Sequence, residues 1–324
     1  MKAIRIAENG GPEVMALTVV ATPEPGANDV RIKHAAIGVN FIDVYHRTGL
    51  YKNPLPTGLG LEGAGVVDAV GANVRRFKPG DRIAYCSGPI GAYAEMHVVP
   101  ENRAVKLPDA IAFDVAAASM LKGMTARYLL RKTFRVERQH VVLIHAAAGG
   151  VGQILVQWAK HLGAEVIATV GSDAKAAIAR ALGADHVVVT ARENIAARVR
   201  EITNGVGAHV VYDGVGKDTF EASLDSLRPL GMMVSYGNAS GAVPPFSPLV
   251  LSHKGSLLLT RPTLFHYTAT TEQLDETAAD LFAVIESGAV KITPPQRYAL
   301  ADAAQAHRDL EARKTTGSLV LTPQ

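Results

Sequence analysis

Cysteine is nearly missing from this sequence: Cys86 stands alone among 324 residues. That excludes an intrachain disulfide framework and any metal site built on several thiolates, and it suits a reducing compartment. Eleven histidines are present, but they are scattered without ligand spacing. His46 and His97 read as surface or core residues, and no metal is expected. Strong charge of one sign is also missing. Lys and Arg number 33 against 30 Asp and Glu, a net charge of +3. No run of five or more basic residues occurs, so nucleic acid and anionic lipid are not expected as partners. Long apolar runs are lacking as well. The most apolar stretch, Val141–Ala159, is interrupted by His145, Gly149, Gly150, Gly152, Gln153 and Gln157, which makes a poor membrane span. The opening MKAIRIAENGG lacks the apolar core of a signal peptide. A soluble, cytoplasmic enzyme is the expectation.

Hydrophobic residues make up 48% of the chain and charged residues 19%, as in a well-packed globular protein. The length is too great for one ordinary core, so two domains are expected. The first part reads as short strands: Lys2–Ala7, Met15–Val20, Val30–Ala36, Gly65–Val70, Arg82–Cys86 and Ala94–Val99. Gly and Pro signals separate them, which suggests a largely β, barrel-like domain. Near Ala112 the texture changes, and two helices are expected at Phe113–Leu121 and Met124–Lys132.

Strands then alternate with helices. Strands fall at Val141–His145, Glu165–Val170, His186–Val189, His209–Tyr212 and Met232–Tyr236. Helices fall at Val151–Leu162, Asp173–Leu182, Asn194–Thr203 and Thr219–Leu227. This order implies an α/β fold with a doubly wound parallel sheet. After a strand at Ser256–Thr260 come helices at Thr271–Ser287 and Ala301–Arg313 and a last strand at Ser318–Leu321. This tail can return to complete the first domain.

The most informative segment is VVLIHAAAGGVGQILVQWAKHLG. A strand ends, a glycine-rich turn follows, and a helix begins. The turn reads Ala147-x-Gly149-x-x-Gly152, a variant of the dinucleotide fingerprint. Gly149 lets backbone approach a pyrophosphate, and Gly152 lets the helix pack on the strand. The free N–H groups of the helix start hold phosphate. The second strand ends in Thr169-Val170-Gly171-Ser172 with no acid at its tip. Asp173 follows, where it can equally cap the next helix, and Lys175 lies in that helix's first turn. NADPH is therefore favoured over NADH. The spacing Tyr128 to Lys132 precedes the turn, so it reads as an ordinary helix pair rather than a Tyr-x-x-x-Lys reductase site.

Several motifs together resemble the quinone oxidoreductases of the medium-chain dehydrogenase/reductase superfamily, related to zeta-crystallin. They are NFIDVYHRTGLY (Asn40–Tyr51), GLEGAGVV (Gly60–Val67), AAASMLKGMTARYLL (Ala116–Leu130), HAAAGGVGQILVQWAK (His145–Lys160), VVYDGVG (Val210–Gly216), VSYGNASG (Val234–Gly241) and ARKTTGS (Ala312–Ser318). Gly60–Val67 resembles the zinc enzymes' GHE motif with Leu61 in the His position, in agreement with a zinc-free branch. The resemblance implies a GroES-like, β-barrel-type catalytic domain at 1–122 and 265–324, a Rossmann NADPH-binding domain at 123–264, and a homodimer.

It also implies site residues. Asn40, Tyr45 and Tyr51 line the nicotinamide cleft and are the candidate catalytic residues, and Thr125 lies near the nicotinamide. Gly149, Gly150, Val151 and Gly152 form the pyrophosphate turn. Gly171, Ser172 and Lys175 form a 2′-phosphate pocket, joined by Arg313 from the tail. Val215, Tyr236, Gly237, Asn238 and Ser240 belong to the loops beside the nicotinamide. Close relatives place a Tyr against the adenosine phosphate where this chain has Thr190, a change that softens selectivity. Asp43 and Arg47, four apart, read as an ordinary helix-surface pair. Asp213 reads as a tie for a strand end.

Two reactions fit this reading. One is reduction of quinones by NADPH without a metal. The other is reduction of an activated alkene, an enone or enoyl compound, which depends more on a placed acid. A non-catalytic NADPH- or RNA-binding role is a third possibility that the weak net charge disfavours.

Overall fold

The computed structural model describes residues 1–323. Two compact units divide it. One comprises Met1–Met124, Thr268–Glu286 and residues from Ile292 onward; the other comprises Thr125–Tyr267 and Ser287–Lys291.

In chain order the first unit begins with strands β1 (Lys2–Ile6), β2 (Ala16–Val19) and β3 (Asp29–Val39) and helix α1 (Phe41–Thr48). Strands β4 (Thr57–Gly58), β5 (Gly63–Val70), β6 (Arg82–Tyr85), β7 (Met96–Pro100) and β8 (Ala104–Lys106) precede helix α2 (Phe113–Tyr128). The second unit alternates β9 (Val141–Ile144), α3 (Gly150–His161), β10 (Glu165–Val170), α4 (Asp173–Ala181), β11 (His186–Val189) and α5 (Ile195–Ile202). It continues with β12 (Ala208–Asp213), α6 (Phe220–Asp225), β13 (Leu227–Ser235), α7 (Leu249–His253), β14 (Leu258–Thr260) and α8 (Leu264–Tyr267). The tail supplies α9 (Thr271–Glu286), β15 (Gln296–Ala299), α10 (Ala303–Glu311) and β16 (Leu319–Thr322).

In the first unit β15-β16-β3-β5-β6-β8 form one sheet, with β7 also paired to β3, and β2-β1-β4 form a small second sheet. The tail strand β16 pairs antiparallel with β3, Leu319 opposite Val39, so the two chain ends close one sheet. Along β3 the side chains alternate: Val30, Ile32 and His34 are buried while Lys33 and Ala35 are exposed, the period-two pattern of a strand with one face on a core. That core contains Ile4, Ile32, Ile37, Leu59, Val67, Ile83, Tyr85, Val99 and Leu321.

The second unit is a six-stranded parallel sheet in the order β11-β10-β9-β12-β13-β14. Its central strands are apolar on both faces: Val142, Leu143 and Ile144 of β9 and Val166, Ile167 and Ala168 of β10 are fully buried. Helices cover both sides of such a sheet, so its strands read as apolar runs rather than alternating ones. Chain order reverses between β9 and β12. In open parallel sheets, ligands bind outside the carboxyl ends of the strands at such a reversal.

The segment expected to form two helices is one. α2 runs unbroken from Phe113 to Tyr128 and ends in a wider turn at Leu129–Thr133. Gly123 does not break it. A Cβ there would press into the isobutyl group of Leu281 on α9, 2.8 Å from Cδ2, so this glycine serves close helix packing instead.

Candidate nucleotide and acceptor site

In the second unit the site begins where β9 ends. Gly149 donates its N–H to Ala146 O at 2.9 Å, closing a tight turn, and is the N-cap of α3 with no side chain capping the helix. Gly149, Gly150 and Val151 are half-buried and Gly152 is buried, so the first turn presents backbone N–H groups outward, an arrangement suited to an anion. The two fingerprint glycines differ physically. A Cβ on Gly149 would meet only Ala146 O, at 3.2 Å, leaving open space above the turn; one on Gly152 would run into the backbone of Ala146 and Ala147, 2.7 Å from the Cα of Ala147. Gly149 thus keeps the approach to the helix end clear, while Gly152 lets α3 lie on the strand end. The cradle fits a diphosphate.

Close to the turn lies a buried network built on the Asp213 carboxylate. Ser223 donates its hydroxyl to Asp213 Oδ2 at 2.8 Å, and the ring of His145 bridges Ser223 Oγ and Thr169 Oγ1 at 2.9 Å each. Because the Ser223 proton is committed to the carboxylate, His145 Nε2 carries the donor hydrogen and Nδ1 accepts from Thr169. Burial holds the His145 pKa below the usual value, which keeps the ring neutral. Asp213 accepts further bonds from Val215 N (2.8 Å), Gly216 N (3.0 Å) and the Thr219 hydroxyl (2.7 Å). It ties down the end of β12, as its position suggested. Ends of β9, β10 and β12 are thereby locked together close to the nucleotide turn.

At the end of β10, Gly171 and Ser172 are exposed and Lys175 is half-buried. Ser172, not Asp173, is the N-cap of α4, its Oγ accepting from Lys175 N at 3.4 Å. Asp173 instead pairs with Arg192 Nη1 at 2.6 Å. Thr190 turns its hydroxyl inward to Val170 O, 3.3 Å. After β13, Tyr236 and Gly237 pack against Gly214, where a Cβ would meet the Tyr236 ring at 2.8 Å. Ser240 Oγ donates to Val215 O at 2.9 Å and accepts from Asp218 N at 3.0 Å, so it joins the two loops. With its amide oriented by these partners, Asn238 accepts from Arg261 Nη2 at 3.1 Å. The structure thus gathers Gly149–Gly152, Gly171–Lys175, Val215 and Tyr236–Ser240 at the carboxyl ends of neighbouring parallel strands. Thr125 is buried on α2.

The first unit holds the remaining candidates. Asn40 is the N-cap of α1 and is buried. Asp43, one turn on, reaches back to accept Asn40 N at 2.8 Å, and the Asn40 side chain donates to Glu62 Oε2 at 2.7 Å. Glu62 is fully buried; it also accepts Leu121 N at 2.7 Å and faces the Lys122 ammonium at 3.5 Å. Tyr45 and Tyr51 stack edge to face, ring centroids 5.2 Å apart, and Tyr51 N donates to Tyr45 O at 3.0 Å. Tyr45 is buried and Tyr51 half-buried.

Asp43 and Arg47 are neither on the surface nor paired with each other. Asp43 is 0% exposed and Arg47 1%. Arg47 makes a two-pronged bond to Glu311 at 2.8 and 2.9 Å and donates to His307 Nδ1 at 2.9 Å, both on the tail helix α10. An arginine only donates, so His307 Nδ1 accepts; its Nε2–H then faces Tyr93 Oη at 3.0 Å, and Tyr93 donates to Asp43 Oδ2 at 2.9 Å. Burial raises the Asp43 pKa to about 7 and lowers that of His307 to about 3. Glu62, Lys122, Tyr93, His307 and Glu311 were not found by sequence reasoning, because their partners lie tens to hundreds of residues away. Arg313 is exposed at the end of α10, in the left-handed conformation (φ 57°). Among the described residues no group of three or more His, Cys, Asp or Glu is placed to hold a metal. Cys86 is buried with its thiol 3.4 Å from Met124 Sδ.

A parallel sheet of this order with a glycine-lined, uncapped helix start defines a dinucleotide-binding protein of the Rossmann class. Residues 26–109 match the family described as alcohol dehydrogenase GroES-like domain, and residues 150–283 the family described as zinc-binding dehydrogenase. The chain is 54% identical to a quinone oxidoreductase of Pseudomonas aeruginosa over 99% of both chains. It is 44% identical to a 2-haloacrylate reductase of Burkholderia over 98% of both. A crystal structure of Escherichia coli quinone oxidoreductase complexed with NADPH superposes with a TM-score of 0.98 at 47% identity, covering 100% of both chains. The chain belongs to the quinone oxidoreductase family of the medium-chain dehydrogenase/reductase superfamily. No helix among the described residues is long and apolar enough to cross a membrane.

Proposed function

We propose that this protein is an NADPH:quinone oxidoreductase. The observation that carries the reading is the open, uncapped helix start at Gly149–Gly152, in a chain similar over its whole length to a quinone oxidoreductase solved with NADPH. NADPH supplies hydride when bound; the protein supplies orientation and polarity. The N–H groups of Gly150, Val151 and Gly152 hold the pyrophosphate, and Gly149, its own N–H spent on Ala146 O, keeps the approach clear. Gly171, Ser172 and Lys175 receive the adenosine 2′-phosphate, with Arg313 a further cation. Thr125, Val215, Tyr236, Gly237, Asn238 and Ser240 are the second unit's residues assigned to the nicotinamide, and Asn40 is the first unit's candidate for it.

A quinone is already electrophilic, so the protein need only stabilise charge as it develops on the acceptor oxygen. A hydroxyl donor from Tyr51 or Tyr45 does this, and water supplies protons. Asn40 acts through its place at the start of α1, since its amide nitrogen is engaged by Glu62. We further infer a cytoplasmic homodimer. The open edge of the parallel sheet at β14, where Leu258 is 48% exposed, is the strand suited to pairing with a second copy.

The 44% identity to a 2-haloacrylate reductase favours one second reading, reduction of an activated alkene. Steady-state assay of NADPH oxidation with a panel of quinones and enones separates the two. Turnover with quinones well above that with enones supports the first reading. The reverse replaces it with the second, and no NADPH oxidation with either removes both.

A further inference from the structure

An acid just past the second strand of a nucleotide-binding sheet, about 20 residues beyond the glycine fingerprint, discriminates between dinucleotides. A free carboxylate there accepts a bond from an unphosphorylated ribose and repels a 2′-phosphate. This chain has such an acid in Asp173, the first residue of α4, directly after the N-cap Ser172. The acid is not free. Arg192, from the turn after β11, places Nη1 2.6 Å from Asp173 Oδ1.

The turn carrying Arg192 is itself fixed. Thr190 N donates to Val170 O at 2.8 Å, which fastens the end of β11 to the end of β10, and Arg192 N donates to Val189 O at 3.1 Å, which closes the turn itself. The contact with Asp173 occupies Nη1 alone, and the Arg192 side chain is 54% exposed. Its remaining donors are therefore open to solvent next to Asp173. Planar guanidinium forks are matched to phosphate oxygens.

We propose that the Arg192–Asp173 pair is a selectivity element for the phosphorylated dinucleotide: Arg192 cancels the acid's charge and offers its remaining donors to the 2′-phosphate. The inference rests on the nucleotide lying at the Gly149–Gly152 turn. It adds a cation that the sequence reading did not single out, on the same unit as Lys175.

The test is titration calorimetry of the full chain with NADPH, NADH, 2′,5′-ADP and 5′-AMP, in wild type, Arg192→Ala, Asp173→Ala and the double variant. Arg192→Ala should weaken NADPH and 2′,5′-ADP by about tenfold or more and leave NADH and 5′-AMP unchanged or bound more tightly, since the uncovered Asp173 can accept from an unphosphorylated ribose. Adding Asp173→Ala should recover part of that loss, because the uncovered acid is gone, and Asp173→Ala alone should bind NADPH at least as tightly as wild type. Both side chains are more than half exposed, 54% and 77%, so the variants should melt with wild type. Equal losses for phosphorylated and unphosphorylated ligands, or no loss, would overturn the pair's role while leaving NADPH binding intact. Failure of the wild type to bind NADPH at all would remove the dinucleotide reading together with the pair.

Discussion

Helices α3 and α1 both carry candidate site residues, and they are anchored by different physics. The start of α3 is held by its own neighbourhood: a turn closed from Gly149 to Ala146, and the network of His145, Thr169, Ser223 and Asp213 that locks adjacent strand ends. α1 is held by buried charge from the far end of the chain, with Arg47 gripped by His307 and Glu311 of α10 and Asp43 by Tyr93. The α3 cradle rests mainly on backbone and hydroxyl contacts and holds one histidine, His145, that burial keeps neutral, so acid weakens it through that one group. A network of buried ionisable groups is specific but exposed to protonation and to loss of one partner.

Acid should therefore strike the first unit hardest. His307 and His34 are both held near a pKa of about 3 by burial. Their folded values lie below the unfolded one, so they contribute stability that is full above pH 6.5 and is lost as pH falls toward 3, by about 1.4 kcal/mol per pH unit for each group. Asp43, raised to about 7, has the opposite sign: it costs stability as pH rises from about 4 to about 7. Two histidines outweigh one aspartate, so urea unfolding should show a net fall from pH 6 to pH 4. His307→Gln should flatten that fall and Asp43→Asn should steepen it. A profile unaffected by both variants would break the comparison.

Glu311→Ala leaves Arg47, 1% exposed, with only His307 and Gly10 O as partners. Because Glu311 itself is 34% exposed, the cost should lie at the low end for a broken buried pair, about 3 kcal/mol by denaturant unfolding. Gly152→Ala should cost about 2 kcal/mol through overpacking against the backbone of Ala146 and Ala147. Gly149→Ala should instead leave the melting temperature near wild type and weaken NADPH binding. Identical behaviour of the two glycine variants would show that the turn does not divide its roles this way.

Smaller effects sharpen the functional side. Lys175→Ala should weaken NADPH about tenfold, roughly 1.4 kcal/mol, and leave NADH nearly unchanged in a binding titration; equal losses would contradict its assignment. Tyr51→Phe should lower quinone turnover by about tenfold or less. A folded variant with no activity at all would show that Tyr51 is an obligatory proton donor.

Much of this was legible before any coordinates. The strand at Glu165–Val170 and that at His186–Val189 fall where the residue pattern put them, because buried parallel strands are runs of branched apolar residues bounded by glycine. The fingerprint glycines and the strand-end role of Asp213 were legible for the same reason, as each acts within a few residues of itself. Two helices were expected where α2 is one, and the packing that Gly123 serves was hidden because its partner, Leu281, is distant in sequence. The error at Asp43 and Arg47 came from the same source: spacing of four suits a surface pair, and nothing local reveals that Glu311 and His307 wait for the arginine.

The sequence by itself determined the alternation of strands and helices in the second unit, the glycine turn and the family, since these depend on local backbone demands and on motifs that are contiguous. Tertiary structure alone decided which charges are buried and with whom. It put Arg47 on Glu311, Glu62 between Asn40 and Lys122, and Arg192 over Asp173. Electrostatic partners are chosen by distance in space, and for side chains separated by up to 264 residues along the chain that distance exists only once the backbone has folded.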